Sequence, residues 1–81
     1  MRLPRDLSGA DLSRALGRLG YGVTRQTGSH MRLTAVTARG EHHITIPDHR
    51  PLKVGTLSAI LRDVSEHAGI SREELMVRLF S

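Results

Sequence analysis

The residue pattern predicts an α+β fold. It is a small domain in the order α-β-β-β-α(-α), with a three-stranded antiparallel sheet and its helices on one face. Three observations carry this. Apolar residues recur at helical spacing near both ends, at Leu12, Ala15, Leu16 and Leu19 and again at Leu57, Ile60, Leu61 and Val64. Between them, His30–Thr37 alternates with the period of a half-buried strand. Turn residues around Gly28 and Gly40 divide the middle of the chain into three extended stretches. Eighty-one residues suit one domain over residues 1–81 with one modest core.

The first helix is expected over Gly9–Leu19. Ser8 is its cap, with Asp11 three residues on in a capping-box position. Arg14 and Arg18 share the face opposite Leu12 and Leu16, and Gly20 suits a left-handed residue after the last turn. Tyr21–Gln26 reads as the first strand and Thr27-Gly28-Ser29 as a three-residue turn. His30–Thr37 is the second strand. His42–Ile46 is the third, ended by Pro47.

Parity decides which side chains share a face. A two-residue loop at Arg39-Gly40 sets Leu33 opposite Ile46 and Ala35 opposite Ile44. A three-residue loop at Thr27–Ser29 sets Val23 opposite Leu33 and Gln26 opposite His30. Both registers collect Val23, Met31, Leu33, Ala35, Ile44 and Ile46 on one face, whereas a one-residue slip scatters them. The other face then gathers Thr24, Gln26, His30, Arg32, Thr34, His43 and Thr45. Asp48–Val54 is a loop. Thr56 caps a second helix with the stripe Leu57, Ile60, Leu61, Val64 and Ala68, closed by Gly69. A capping box of Ser71 and Glu74 opens a short third helix with Leu75, Leu79 and Phe80 on its apolar side.

Composition narrows the function. Twelve Lys and Arg stand against eight Asp and Glu, a net charge of +4. Residues 1–55 hold nine basic and four acidic side chains, and residues 56–81 hold three and four, so the excess lies ahead of the second helix. All the basic residues but Lys53 are Arg, whose planar fork matches phosphate. A soluble Arg-rich surface has the same composition. Tyr21 and Phe80 are the only aromatics, which counts against a protein that stacks single-stranded bases on rings. Without cysteine there is neither a disulfide framework nor a thiolate metal site. No apolar run approaches the roughly 20 residues of a membrane span. Residues 1–6 lack a signal-peptide core, so a cytoplasmic protein without membrane association is expected.

Four of the five histidines and Lys53 lie between Gly28 and Thr56. His42 and His43 are adjacent on a strand and point to opposite faces. No histidine pair has helical i, i+4 spacing, and Asp48 adjoins His49 without converging on it. No metal site and no cofactor are expected. His30 differs, because it follows Gly28-Ser29 directly and shares the polar face with Arg32. A glycine turn lets a phosphate backbone approach closely. A neutral imidazole there can take a proton from a ribose 2′-hydroxyl. An exposed strand histidine with no task fits the same spacing. Lys53 and Thr56 bracket the start of the second helix, where backbone N–H groups attract phosphate; plain capping fits them too.

Taken together these residues resemble a known family. Gly28-Ser29-His30, then Ile46-Pro47-x-His49, then Leu52-Lys53-x-Gly55-Thr56-Leu57-x-x-Ile60-Leu61 is similar to the HicA-type mRNA interferase toxins of type II toxin–antitoxin systems. The likeness extends from Arg18-Leu19-Gly20-Tyr21 to Ala68-Gly69-Ile70-Ser71. It implies a fold like a double-stranded-RNA-binding domain, metal-independent endoribonuclease activity on mRNA, and a cognate HicB-type antitoxin that masks the site. It maps the family's catalytic histidine onto His30, with Gly28 in the preceding turn. Asp63–His67 lengthens the second helix by about a turn relative to the shorter members. On this reading Gly28, Ser29, Arg32, Lys53 and Thr56 contact RNA. The acid for the leaving 5′-oxygen is not assigned: His49 and water are both open. The alternative is a non-catalytic module that binds double-stranded RNA across a groove. A third reading is an interaction protein whose basic face meets an acidic partner.

Overall fold

The computed structural model describes residues 4–81. Ser8 opens the first helix as expected. Its hydroxyl accepts from the Asp11 N–H at 3.0 Å, and the Asp11 carboxylate accepts from the Ser8 N–H at 3.2 Å. Helix α1 covers Gly9–Leu16 and tightens into a 3₁₀ turn over Gly17–Leu19, after which Gly20 takes a left-handed φ. Strands β1 (Gly22–Thr27), β2 (His30–Thr37) and β3 (Gly40–Pro47) form an antiparallel meander in that order. Helices α2 (Val54–Ala68) and α3 (Arg72–Phe80) follow. Among the described residues, no helix is long and apolar enough to cross a membrane.

The helices cover one face of the sheet. Met31, Leu33, Ala35, Ile44 and Ile46 alternate inward from β2 and β3. They meet Leu12 and Leu16 of α1, Leu57, Ile60, Leu61 and Val64 of α2, and Leu75, Met76 and Leu79 of α3. Each large side chain buried this way contributes about 1.5–3 kcal/mol. A surface ion pair such as Arg78–Glu74 is worth about 0–1 kcal/mol. Packing therefore holds the helical layer to the sheet. The opposite face stays open to solvent, with His30, Arg32, Val36, Glu41, His43 and Thr45 exposed.

Two registers depart from the parity argument. The β2–β3 turn lies one residue earlier than expected, at Ala38-Arg39, so Thr37 pairs with Gly40 and Leu33 with Ile44. The Thr37 hydroxyl accounts for the shift. It accepts from the Arg39 N–H at 3.1 Å and donates to the Gly40 carbonyl at 3.0 Å, closing the turn from within. Both strands move by one, parity is kept, and the same residues of β2 and β3 face inward. The β1–β2 turn is two residues long, Gly28-Ser29, so Gln26 pairs with Met31 and not with His30. Gly28 has φ +56° and Ser29 no positive φ, the combination of a type II′ turn. A bulge between Val23 and Arg25 absorbs the extra residue and restores the expected Val23–Leu33 pair. Val23 is nevertheless 51% exposed and outside the core. β1 is an edge strand with every residue exposed, and Tyr21 just before it is buried instead.

The second helix also starts early. Its N-cap is Lys53, whose carbonyl accepts from the Leu57 N–H at 2.9 Å, so Thr56 lies inside the first turn and is not the cap. Leu52 anchors the chain just ahead: its side chain is buried and its N–H donates to the Leu7 carbonyl at 2.7 Å. Ala68 is exposed, and Ser65 is buried instead with its hydroxyl bonded to the Arg62 carbonyl. Ser71 caps α3 through the Glu74 N–H as expected, while the Glu74 carboxylate pairs with Arg78.

Candidate active site

His30 opens β2, directly after the type II′ turn. Its cross-strand neighbours are Thr27 on β1 and Pro47 on β3. The side chain is exposed on the open face, as is Arg32 two residues on. Arg32 stands opposite Thr45 on one side and Arg25 on the other. Two guanidinium groups directly opposite are mutually repulsive, and an anion between them relieves that repulsion. Arg25 was not singled out from the sequence. The two-residue Gly28-Ser29 turn brings it opposite Arg32, where the expected three-residue turn sets Thr24.

The backbone around His30 is tied on several sides. The Asp48 N–H donates to the Ser29 carbonyl at 2.6 Å, and the Gly9 N–H donates to the His49 carbonyl at 3.0 Å. A Cβ on Gly9 would lie 2.0 Å from the Pro47 carbonyl oxygen, so only glycine permits α1 to start here. The turn before His30, the loop after β3 and the start of α1 are thereby one tied unit. Sequence reading missed this use of Gly9, which looked like an ordinary first helical residue.

Gly28 and Ser29 form the turn itself. Lys53 is exposed and Thr56 half-buried in the first turn of α2, at the far end of the same loop. No side chain caps α2, which leaves its first N–H groups to solvent or an anion. Among the described residues, no hydrogen bond or ion pair links Lys53 or Thr56 to His30 or Arg32. A cleft of about 430 Å³ lies between Arg5 and Asp6 and the residues Pro51, Leu52, Val54 and Leu57; it does not include His30. Among the described residues, no group of three or more His, Cys, Asp and Glu side chains is arranged to hold a metal ion.

The histidines at the other end of the sheet are differently occupied. His42 Nδ1 lies 2.6 Å from the Tyr21 hydroxyl and its Nε2 lies 3.1 Å from Asp63. A carboxylate only accepts, so Nε2 carries a proton toward Asp63, and Nδ1 is the atom that meets the Tyr21 hydroxyl. His67 stacks on His42 with ring centroids 4.2 Å apart, and its Nε2 lies 2.9 Å from the Thr37 hydroxyl. Arg39 reaches across to the His67 carbonyl at 3.0 Å. Burial holds His67 below its ordinary 6.5, the nearby His42 and Arg39 act in the same direction, and Asp63 opposes them. Burial raises the Tyr21 pKa, and Asp63 adds to that. His43 bonds the Thr34 hydroxyl at 2.8 Å. Among the described residues, the rings of His30 and His49 alone have no side-chain partner.

A family model described as HicA toxin of bacterial toxin-antitoxin matches residues 9–65. No curated protein and no solved structure gives a significant match. The matched span runs from the first residue of α1 into α2, and takes in the Gly28-Ser29 turn, His30, Arg32, Lys53 and Thr56. With most of its length inside that match, the chain belongs to the HicA toxin family of bacterial toxin–antitoxin systems.

Proposed function

We propose that this toxin is a metal-independent endoribonuclease acting on mRNA in the cytoplasm, with His30 as the general base. The observation that carries this reading is the unengaged His30 ring on the open face, directly after a type II′ glycine turn and beside Arg32. The neutral imidazole takes the proton of a ribose 2′-hydroxyl, and the 2′-oxygen attacks the adjacent phosphorus. Gly28 and Ser29 let the ribose–phosphate chain come close to the backbone. Arg32, with Lys53 and the first turn of α2 at Thr56, binds phosphate and balances the charge that develops in the transition state. The partner is a HicB-type antitoxin that covers this surface. Cleavage of labelled RNA in chelator, by wild type and His30→Ala, tests the reading. Cleavage by wild type alone supports it. Equal cleavage by both removes His30 from the chemistry, and RNA binding without cleavage favours a non-catalytic RNA-binding module.

A further inference from the structure

We infer that His49 is the general acid of this reaction, delivering the proton that the leaving 5′-oxygen needs. The inference rests on the ribonuclease reading above. In the β2–β3 ladder His30 pairs with Pro47, so Ser29 and Asp48 are the next pair along. The Asp48 N–H donates to the Ser29 carbonyl at 2.6 Å, which extends the ladder one step past the end of β3. On the outer edge the Pro47 carbonyl oxygen faces the Gly9 position, and the His49 carbonyl accepts from the Gly9 N–H at 3.0 Å. Carbonyls of residues 47 and 49 on one side, with the N–H of residue 48 on the other, are the alternation of an extended strand. The chain thus keeps its pleat through His49, and side chains two residues apart on a strand share a face.

Pro47 lies directly opposite His30, so His49 is the diagonal neighbour of His30 on the open face. Diagonal cross-strand pairs stand about 7–8 Å apart. That spacing leaves room for a phosphorus between two rings, with one imidazole at the attacking oxygen and the other at the leaving oxygen. Pro47 lines the gap without competing for either proton. His49 is exposed, and among the described residues it bonds to the rest of the fold through its carbonyl alone, so the ring is uncommitted. Its backbone is nevertheless held, by Gly9 on one side and through Asp48 on the other.

The step balances. His30 removes the 2′-hydroxyl proton, the 2′-oxygen bonds to phosphorus, the bond from phosphorus to the 5′-oxygen breaks, and protonated His49 gives its proton to that oxygen. The products are a 2′,3′-cyclic phosphate and a 5′-hydroxyl. The net effect on the protein is one proton moved from His49 to His30, which exchange with water reverses.

The test uses the full chain and two versions of one labelled RNA oligonucleotide. One carries the natural 5′-oxygen at the cleaved bond, and the other carries a bridging 5′-sulfur, which leaves as a thiolate without being protonated. His49→Ala is expected to slow cleavage of the oxygen substrate by about 10²–10⁴-fold, the usual contribution of a positioned acid. On the sulfur substrate it should return close to wild type. His30→Ala should be slow on both, and circular dichroism should be unchanged in both variants. Equal loss by His49→Ala on the two substrates, or no loss on the oxygen substrate, overturns the assignment while leaving His30 in its role. Failure of wild type to cleave either oligonucleotide overturns the ribonuclease reading and this inference together.

Discussion

The two ends of the sheet hold histidines in opposite circumstances. At the end marked by Gly28-Ser29, the backbone is tied down and the rings of His30 and His49 are left alone. At the other end the rings are engaged: His42 is bonded at both nitrogens, stacked on His67 and set edge-on to Tyr21, and His67 is bonded at Nε2. A group that must exchange protons with a substrate needs its hydrogen-bonding capacity free and its backbone fixed. A group that holds a fold together spends that capacity inside the protein. Here His42 and His67 latch the last turns of α2 to the β2–β3 hairpin. The seven residue steps from His30 to Thr37 span roughly 23 Å, at about 3.3 Å per step. A Debye length of about 8–10 Å screens exposed charges over that distance. The latch and the candidate site should therefore respond to mutation and pH independently.

Substituting one histidine at each end gives the largest contrast. His30→Ala should reduce RNA cleavage by at least about 10²-fold with no change in melting temperature. His42→Ala should do the reverse. It leaves the buried Tyr21 hydroxyl without its partner, at a cost of about 1–3 kcal/mol, and lowers Tm by several degrees while its folded fraction still cleaves. Cleavage assays and thermal melts on both variants read this directly. A loss of cleavage in fully folded His42→Ala would show that the two ends are coupled.

Gly9 tests whether the site end depends on close backbone packing. Gly9→Ala must push α1 away from Pro47 and should cost about 1–3 kcal/mol as an overpacked contact. Gly17→Ala, with an ordinary helical φ and nothing within 4 Å of its Cβ, should be neutral or add about 0.4–1 kcal/mol. Denaturant midpoints for the pair separate the two cases, and equal midpoints would mean that Gly9 is not a tight contact.

Acid should act on the latch end. The pKa of His67 is lowered by folding, chiefly through burial, so the fold favours its neutral form. The unfolded chain then binds more protons over the pH range just below 6.5, and stability contributed by His67 is present above that value and lost as pH falls below it. Melting temperature should therefore drop on acidification, and His67→Gln should make the profile flatter. A profile of unchanged steepness would assign the acid sensitivity to other groups.

Salt gives the smallest effect and sharpens the other end. If the toxin neutralises phosphates, log affinity for RNA falls linearly with log salt concentration. Lys53→Ala should lessen the slope by about one ion if Lys53 meets one phosphate, and His42→Ala should leave it unchanged. A slope untouched by Lys53→Ala would remove that residue from the interface.

Local chemistry was enough to read much of this protein from its residues. Hydroxyl capping by Ser8 and Ser71, the left-handed glycines after α1 and α2, and the period-two pattern of β2 all depend on neighbours a few positions away. The inward set of β2 and β3 survived a wrong turn position because a shift of one residue in both strands keeps parity. The exposed setting of His30 after its glycine turn was legible for the same reason. Other features needed the third dimension. Val23 has the right parity for the core, but burial depends on where the helices lie, and they do not cover the edge strand. The two-residue turn sets Arg25 against Arg32, and the bulge beyond it fits that turn to a Val23–Leu33 register set by side-chain packing. Gly9 matters only because α1 starts against the end of β3. Tyr21, His42, Asp63 and His67 are separated by up to 46 positions in the chain and meet only when α2 packs on the sheet. Periodicity and capping encode elements one at a time. Contacts between elements are set by which faces bury the most apolar surface together, and only the folded chain decides that.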